Sequence, residues 1–169
     1  MADSKRLRIL KALTALIETV TVDNGYQHDL EGRVSRGRVY FGRETPLPWV
    51  SILEGVNPDT APSRAGANAV QRDSWVLLIN GWAEDDPDHP SDPAHNLMAD
   101  VKKALSTILD IGPDRDPNPD YMLGGLLADF AIEPGVVRPP DELSERAYFY
   151  LRVVVGVSEK LADPYQVPA

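Results

Sequence analysis

Apolar residues return every three or four positions near the start of the chain. Leu10, Leu13, Ile17 and Val20, with Ile9 and Leu16 widening the stripe, predict an amphipathic helix over residues 4–20. A second helix is predicted from Asp92, whose carboxylate can cap free amides, with Pro93 where a missing N–H costs nothing. Leu97, Val101, Ala104, Leu105 and Ile108 give that helix one apolar face, and Gly112-Pro113 ends it.

Elsewhere the period shortens to two. Residues 147–157 alternate most cleanly: Ala147, Phe149, Leu151, Val153, Val155 and Val157 fall on one face, and Tyr148, Tyr150 and Arg152 on the other. In residues 126–132, Leu126, Ala128, Phe130 and Ile132 mark a strand buried on one side. Residues 73–83 are apolar on both faces, which predicts a central strand. Residues 33–42 and 49–53 read as neighbouring strands joined through residues 44–48. Trp75 and Trp82 are an odd number of residues apart, so they point to opposite faces of their strand; Trp75 is expected in the core and Trp82 at a contact. Strands grouped before and after one internal helix predict a single α+β domain, a mostly antiparallel or mixed sheet flanked by two main helices.

Three loops are long for a domain of this size: residues 56–69, 84–92 and 111–121. Loops of such length bind something, cover something or move. Residues 162–169 are expected to be extended.

Composition narrows the classes. The 169 residues suffice for one domain with a sizeable core. Cysteine is absent, so disulfides, thiolate metal sites and cysteine nucleophiles are excluded. The N-terminal cations precede an apolar stretch, but Lys11, Thr14, Glu18 and Thr19 interrupt it, favouring a helix over a signal peptide. No run is long enough to span a bilayer. The net charge of −9 argues against non-specific binding to a DNA backbone.

Catalytic patterns are sparse. Asp85, Asp86, Asp88, His89, Asp92 and His95 invite a metal reading, but their spacing fits neither an EF-hand nor a helical zinc motif. A solvated acidic loop entering a helix is the simpler reading. No serine lies in a nucleophile elbow, and no glycine run has the strand–loop–helix setting of a phosphate cradle. The expectation is a non-enzyme with no cofactor and no metal.

Against this acidic background Arg33, Arg36, Arg38 and Arg43 are concentrated in one segment. Three readings are open: edge charges that discourage aggregation, a nucleic-acid surface, or a protein interface. The third would mate with an acidic loop of another copy in a head-to-tail contact.

The segment GRVSRGRVYFG, followed by PLPWVSILEG, WVLLINGWAEDD and the helix PAHNLMADVKKAL, resembles the tail terminator (tail completion) proteins of long-tailed bacteriophages. The similarity runs from Tyr26 to about Leu109, and YFYLRVVVGV fits the last strand of that family. The resemblance implies a structural protein of the virion, at the head-proximal end of the tail, assembled in the bacterial host cytoplasm. It implies a homo-oligomer, a hexameric ring that caps the tail tube protein, stops its polymerisation and offers its other face to a head-completion or neck protein. No membrane or sequence-specific nucleic-acid partner is implied; DNA would thread the lumen. On this reading Arg33, Arg36, Arg38 and Arg43 line a subunit or tube contact opposed by Asp85, Asp86 and Asp88, with Trp82 beside them. The alternatives are a head–tail connector (neck or stopper) ring and a small metal-dependent hydrolase using His89 and His95.

Overall fold

The structure is a computed structural model and describes residues 1–55, 66–113 and 117–166. The order is helix, three strands, helix, three strands: α1 (Lys5–Glu18), β1 (Val34–Arg36), β2 (Trp49–Glu54), β3 (Val70–Trp82), α2 (Asp92–Ser106), β4 (Asp129–Ile132), β5 (Val136–Arg138) and β6 (Tyr148–Lys160). It is a single α+β domain with a six-stranded mixed sheet, as the periodicity predicts.

The sheet is built around one long pair. β3 and β6 run antiparallel in unbroken register from Val70↔Lys160 to Trp82↔Tyr148. β2 is antiparallel to β3 on one side. β4 and β5 pair in succession with the far edge of β6. β1 adds to β2 in parallel, with Val34 opposite Val50 and Arg36 opposite Ile52. A parallel pair needs a crossover, and residues 37–48 supply it.

Both helices lie on one face, and the alternation in the strands fits that arrangement. Phe149, Leu151, Val153, Val155 and Val157 of β6 are fully buried there, as are Leu77 and Ile79 of β3. Ile9, Leu13 and Ile17 from α1, and Leu97, Val101, Leu105 and Ile108 from α2 and the turn after it, close the core. Each large side chain so placed contributes about 1.5–3 kcal/mol. Gly81 faces this core where a Cβ would stand 2.2 Å from Phe149 Cε1, so the Phe149 ring occupies the volume that a side chain at 81 would need.

Local signals set the helix ends. Ser4 Oγ accepts from the Leu7 amide to cap α1. At α2, Ser91 rather than Asp92 is the N-cap, Asp92 lies in the first turn, and a 3-10 turn, Thr107–Leu109, extends the end. Met122–Gly125 forms a left-handed turn, with φ of 47° at Met122, 50° at Leu123, 66° at Gly124 and 85° at Gly125. The short strand β5 was not anticipated from the sequence, and β4 starts at Asp129 rather than Leu126. Most of the loop at 56–69 and the centre of the loop at 111–121 lie outside the described residues.

The chain after β6 is not extended through residue 166. Asp163 bridges back to Lys160, and the Pro164 carbonyl accepts from the Lys5 amide at 2.9 Å. Residues 167–169 lie outside the described set. Among the described residues no helix is long and apolar enough to cross a membrane.

Candidate functional site

Among the described residues no helix lies on the opposite face of the sheet. Its upward positions are Trp49, Ser51 and Leu53 on β2, Val76, Leu78, Asn80 and Trp82 on β3, and Tyr148, Tyr150, Arg152 and Val154 on β6. The crossover 37–48 lies on this side at the Trp82 end. Ser51 Oγ donates to the Arg38 carbonyl at 2.7 Å, and the Phe41 ring packs 4.3 Å from Trp82 and 6.0 Å from Trp49.

That crossover corrects the expected strand over residues 33–42. Pairing stops at Arg36 because Gly37 takes φ 70°, a left-handed conformation that turns the chain out of the ladder. The four arginines therefore part company. Arg33 donates to the Leu47 carbonyl at 2.8 Å, and Arg36 reaches the helix side to donate to Thr14 Oγ1 at 2.9 Å. Both are satisfied inside the subunit. Arg38 stacks over Phe41 at 4.5 Å and Trp49 at 5.3 Å, while donating to the Tyr40 carbonyl and Thr45 Oγ1. Arg43 projects into solvent, with Glu145 Oε1 at 3.3 Å.

Between the crossover and residues 141–146 lies a groove of about 370 Å³, with Phe41 and Trp82 among its lining residues. Among the described residues its rim carries the most exposed large apolar side chains apart from Met1: Leu143 is 87% exposed, Tyr40 80% and Val39 73%. The second wall is held by Asp141, whose carboxylate accepts from the Leu143 and Ser144 amides. Donation from Leu143, with lesser help from Ser144 and Arg138 against a small desolvation, keeps the Asp141 carboxyl below the ordinary aspartate range.

The acidic loop begins at the groove's edge. Asp85 pairs with the Arg146 guanidinium. Asp86 turns inward and accepts from the Asp88 and His89 amides, each at 2.9 Å. These bonds, that from His89 first, hold its carboxyl below the ordinary range despite slight desolvation. Asp88 is exposed. The structure thus places Arg43 and Trp82 in the lining of the groove, sets Arg38 against the lining residue Phe41 and Asp85 against the lining residue Arg146, and leaves Arg33 and Arg36 outside it. Each groove charge already has a weak partner in its own subunit, and exposed pairs of this kind are worth little. Among the described residues no three His, Asp or Glu side chains converge as a metal-ligand set.

Four residues that matter here escaped the sequence reading: Tyr40, Leu143, Glu145 and Arg146. The available signal was Leu143 itself, a lone aliphatic residue in the polar run 141–146. A buried carboxylate was also missed. Asp100 of α2 accepts at Oδ2 from the Gln27 and His28 amides, at 2.9 and 3.1 Å, and lies 2.7 Å from His28 Nδ1. It ties the chain after α1 to α2.

No protein-family model matches the chain, and no curated protein matches it.

Proposed function

We propose that this chain is the subunit of a ring that terminates a bacteriophage tail, and that its groove is where the ring meets another protein. One observation carries the reading. The segment that resembles tail terminators, residues 32–55, builds the wall that exposes Val39 and Tyr40 around Trp82. Aromatic, arginine and aliphatic side chains crowded at one surface depression are the usual anchors of a protein contact. The partners suggested by the resemblance are other copies in a hexamer, the tail tube protein and a head-completion or neck protein. On this reading the protein performs no reaction, and its work is to block addition of the next tube ring.

Negative-stain microscopy and native mass spectrometry of the purified protein at two salt concentrations test the assembly. Closed six-membered rings are expected, and a monomer under every condition would count against the proposal. In a phage carrying this gene, disruption should leave overlong or unfinished tails. Normal tails beside unjoined filled heads would instead assign the chain to a connector.

A further inference from the structure

The sheet's open face is larger than the groove, and it is charged at its other end. Along β3 and β6 the register places Val70, Arg72, Ser158 and Lys160 together on that face, where β3 begins and β6 ends. Arg72 is exposed, and neither it nor Lys160 has a side-chain partner among the described residues. Val70 and the adjoining Leu161 are each 57% exposed. Towards the middle of the face Arg152 stands with Glu133 at 3.6 Å, and Leu53, Leu78 and Val154 are half-buried around it. Asp129, opposite Gly156, and Asp163, opposite Lys160, are carboxylates near this end. Neither carboxylate bonds the Arg72 or Lys160 side chain.

The opposite end of the same strand leads into the most acidic stretch of the chain. Residues 83–101 hold Glu84, Asp85, Asp86, Asp88, Asp92 and Asp100 with no lysine or arginine. Asp85, Asp86 and Asp100 have partners within the subunit. Glu84, Asp88 and Asp92 are exposed, and no side-chain partner meets them among the described residues. Arg72 and Trp82, which precedes this stretch, are ten residues apart on β3, roughly 33 Å at the rise of a strand. The cations and the free carboxylates are therefore too far apart to answer each other within one chain.

We infer that the open sheet face around Arg72 and Lys160 receives a second copy of this chain, which presents its loop at Glu84, Asp88 and Asp92. Charge complementarity selects the copy and the loop, and the exposed Val70 supplies apolar contact beside the two cations. Two different patches on opposite ends of a subunit make a heterologous contact, the kind that closes rings or propagates filaments. The two free cations found here among the described residues are too few to track a nucleic-acid backbone. The inference rests on the ring reading above and assigns its subunit contact away from Arg33 and Arg36.

Two charge-reversed variants test it by native mass spectrometry. One carries Glu84→Lys, Asp88→Lys and Asp92→Lys; the other carries Arg72→Glu and Lys160→Glu. Each alone should be monomeric where the unaltered protein assembles, because like charges then meet. Mixed in equal amounts they should assemble again, through contacts in which the reversed loop of one variant meets the reversed face of the other. That recovery also shows that each variant is folded. Unimpaired assembly of either variant alone, or no recovery on mixing, overturns the inference and leaves the ring reading standing. An unaltered protein that stays monomeric overturns both. Binding of a short DNA duplex that is lost in the Arg72→Glu, Lys160→Glu variant, without assembly, would assign the face to nucleic acid instead.

Discussion

The helix side and the open side of the sheet are made by the same strands, and alternate residues of β6 show how differently the two are filled. Phe149, Leu151 and Val153 are sealed beneath α1 and α2, whereas Tyr150 and Arg152 between them stand in or near solvent. The first set holds the subunit together. The second has apolar and aromatic area with little of its own chain to cover it, which is the character of a surface meant for another molecule.

Truncating one member of each set should separate these roles. Phe149→Ala removes a fully buried ring and should cost about 3–5 kcal/mol in denaturant unfolding. Tyr150→Ala, the next residue, should cost well under about 1 kcal/mol. Equal losses would erase the distinction between the faces.

A smaller effect is expected at the polar tie on the helix side. Asp100→Ala leaves the Gln27 and His28 amides without their acceptor, and should destabilise the fold by about 2–4 kcal/mol. Chemical denaturation reads this directly. A neutral result would mean that solvent replaces the carboxylate, and that the segment after α1 is not held by α2.

The smallest effect belongs to the open side's rim, and it depends on pH. The Asp86 carboxyl is lowered by backbone donation, so the folded state favours its ionised form. Its contribution is complete above the unfolded aspartate range, and is lost as pH falls through the lowered folded value. Asp86→Asn should therefore lower stability slightly at neutral pH and leave it unchanged in strong acid, so that the acid limb becomes flatter. An unaltered acid limb would show that the turn at Asp88 and His89 does not need the charge.

The contrast also explains what could be read from sequence. Period-two and helical-period patterns arise from burial against a continuous partner, so β6, β3, α1 and α2 were legible, together with the opposite facing of Trp75 and Trp82. The crossover was not. Its arginines and aromatics resemble a strand in composition, but one positive-φ residue, Gly37, redirects the backbone over Ser51. The groove needed a second wall from residues 141–146, far along the chain, and no local pattern joins Arg43 to Glu145 or Asp85 to Arg146. Asp100 was hidden for a related reason, since its donors belong to a distant loop. Charge segregation was visible early; which charges stay free was a matter of tertiary structure.

The pairing of β3 with β6 has a consequence for how the molecule is made. β6 is the last strand of the described chain, yet it lies inside the sheet, between β3 and the edge formed by β4 and β5. A nascent chain that has emerged only as far as α2 holds β3 with one long edge unpaired, and such distant pairings form slowly. Lys160, at the end of that strand, reaches its place beside Arg72 only when the sheet is complete. Synthesis therefore orders events: the face that carries Arg72 and Lys160 is assembled only when the last strand of the described chain closes the sheet.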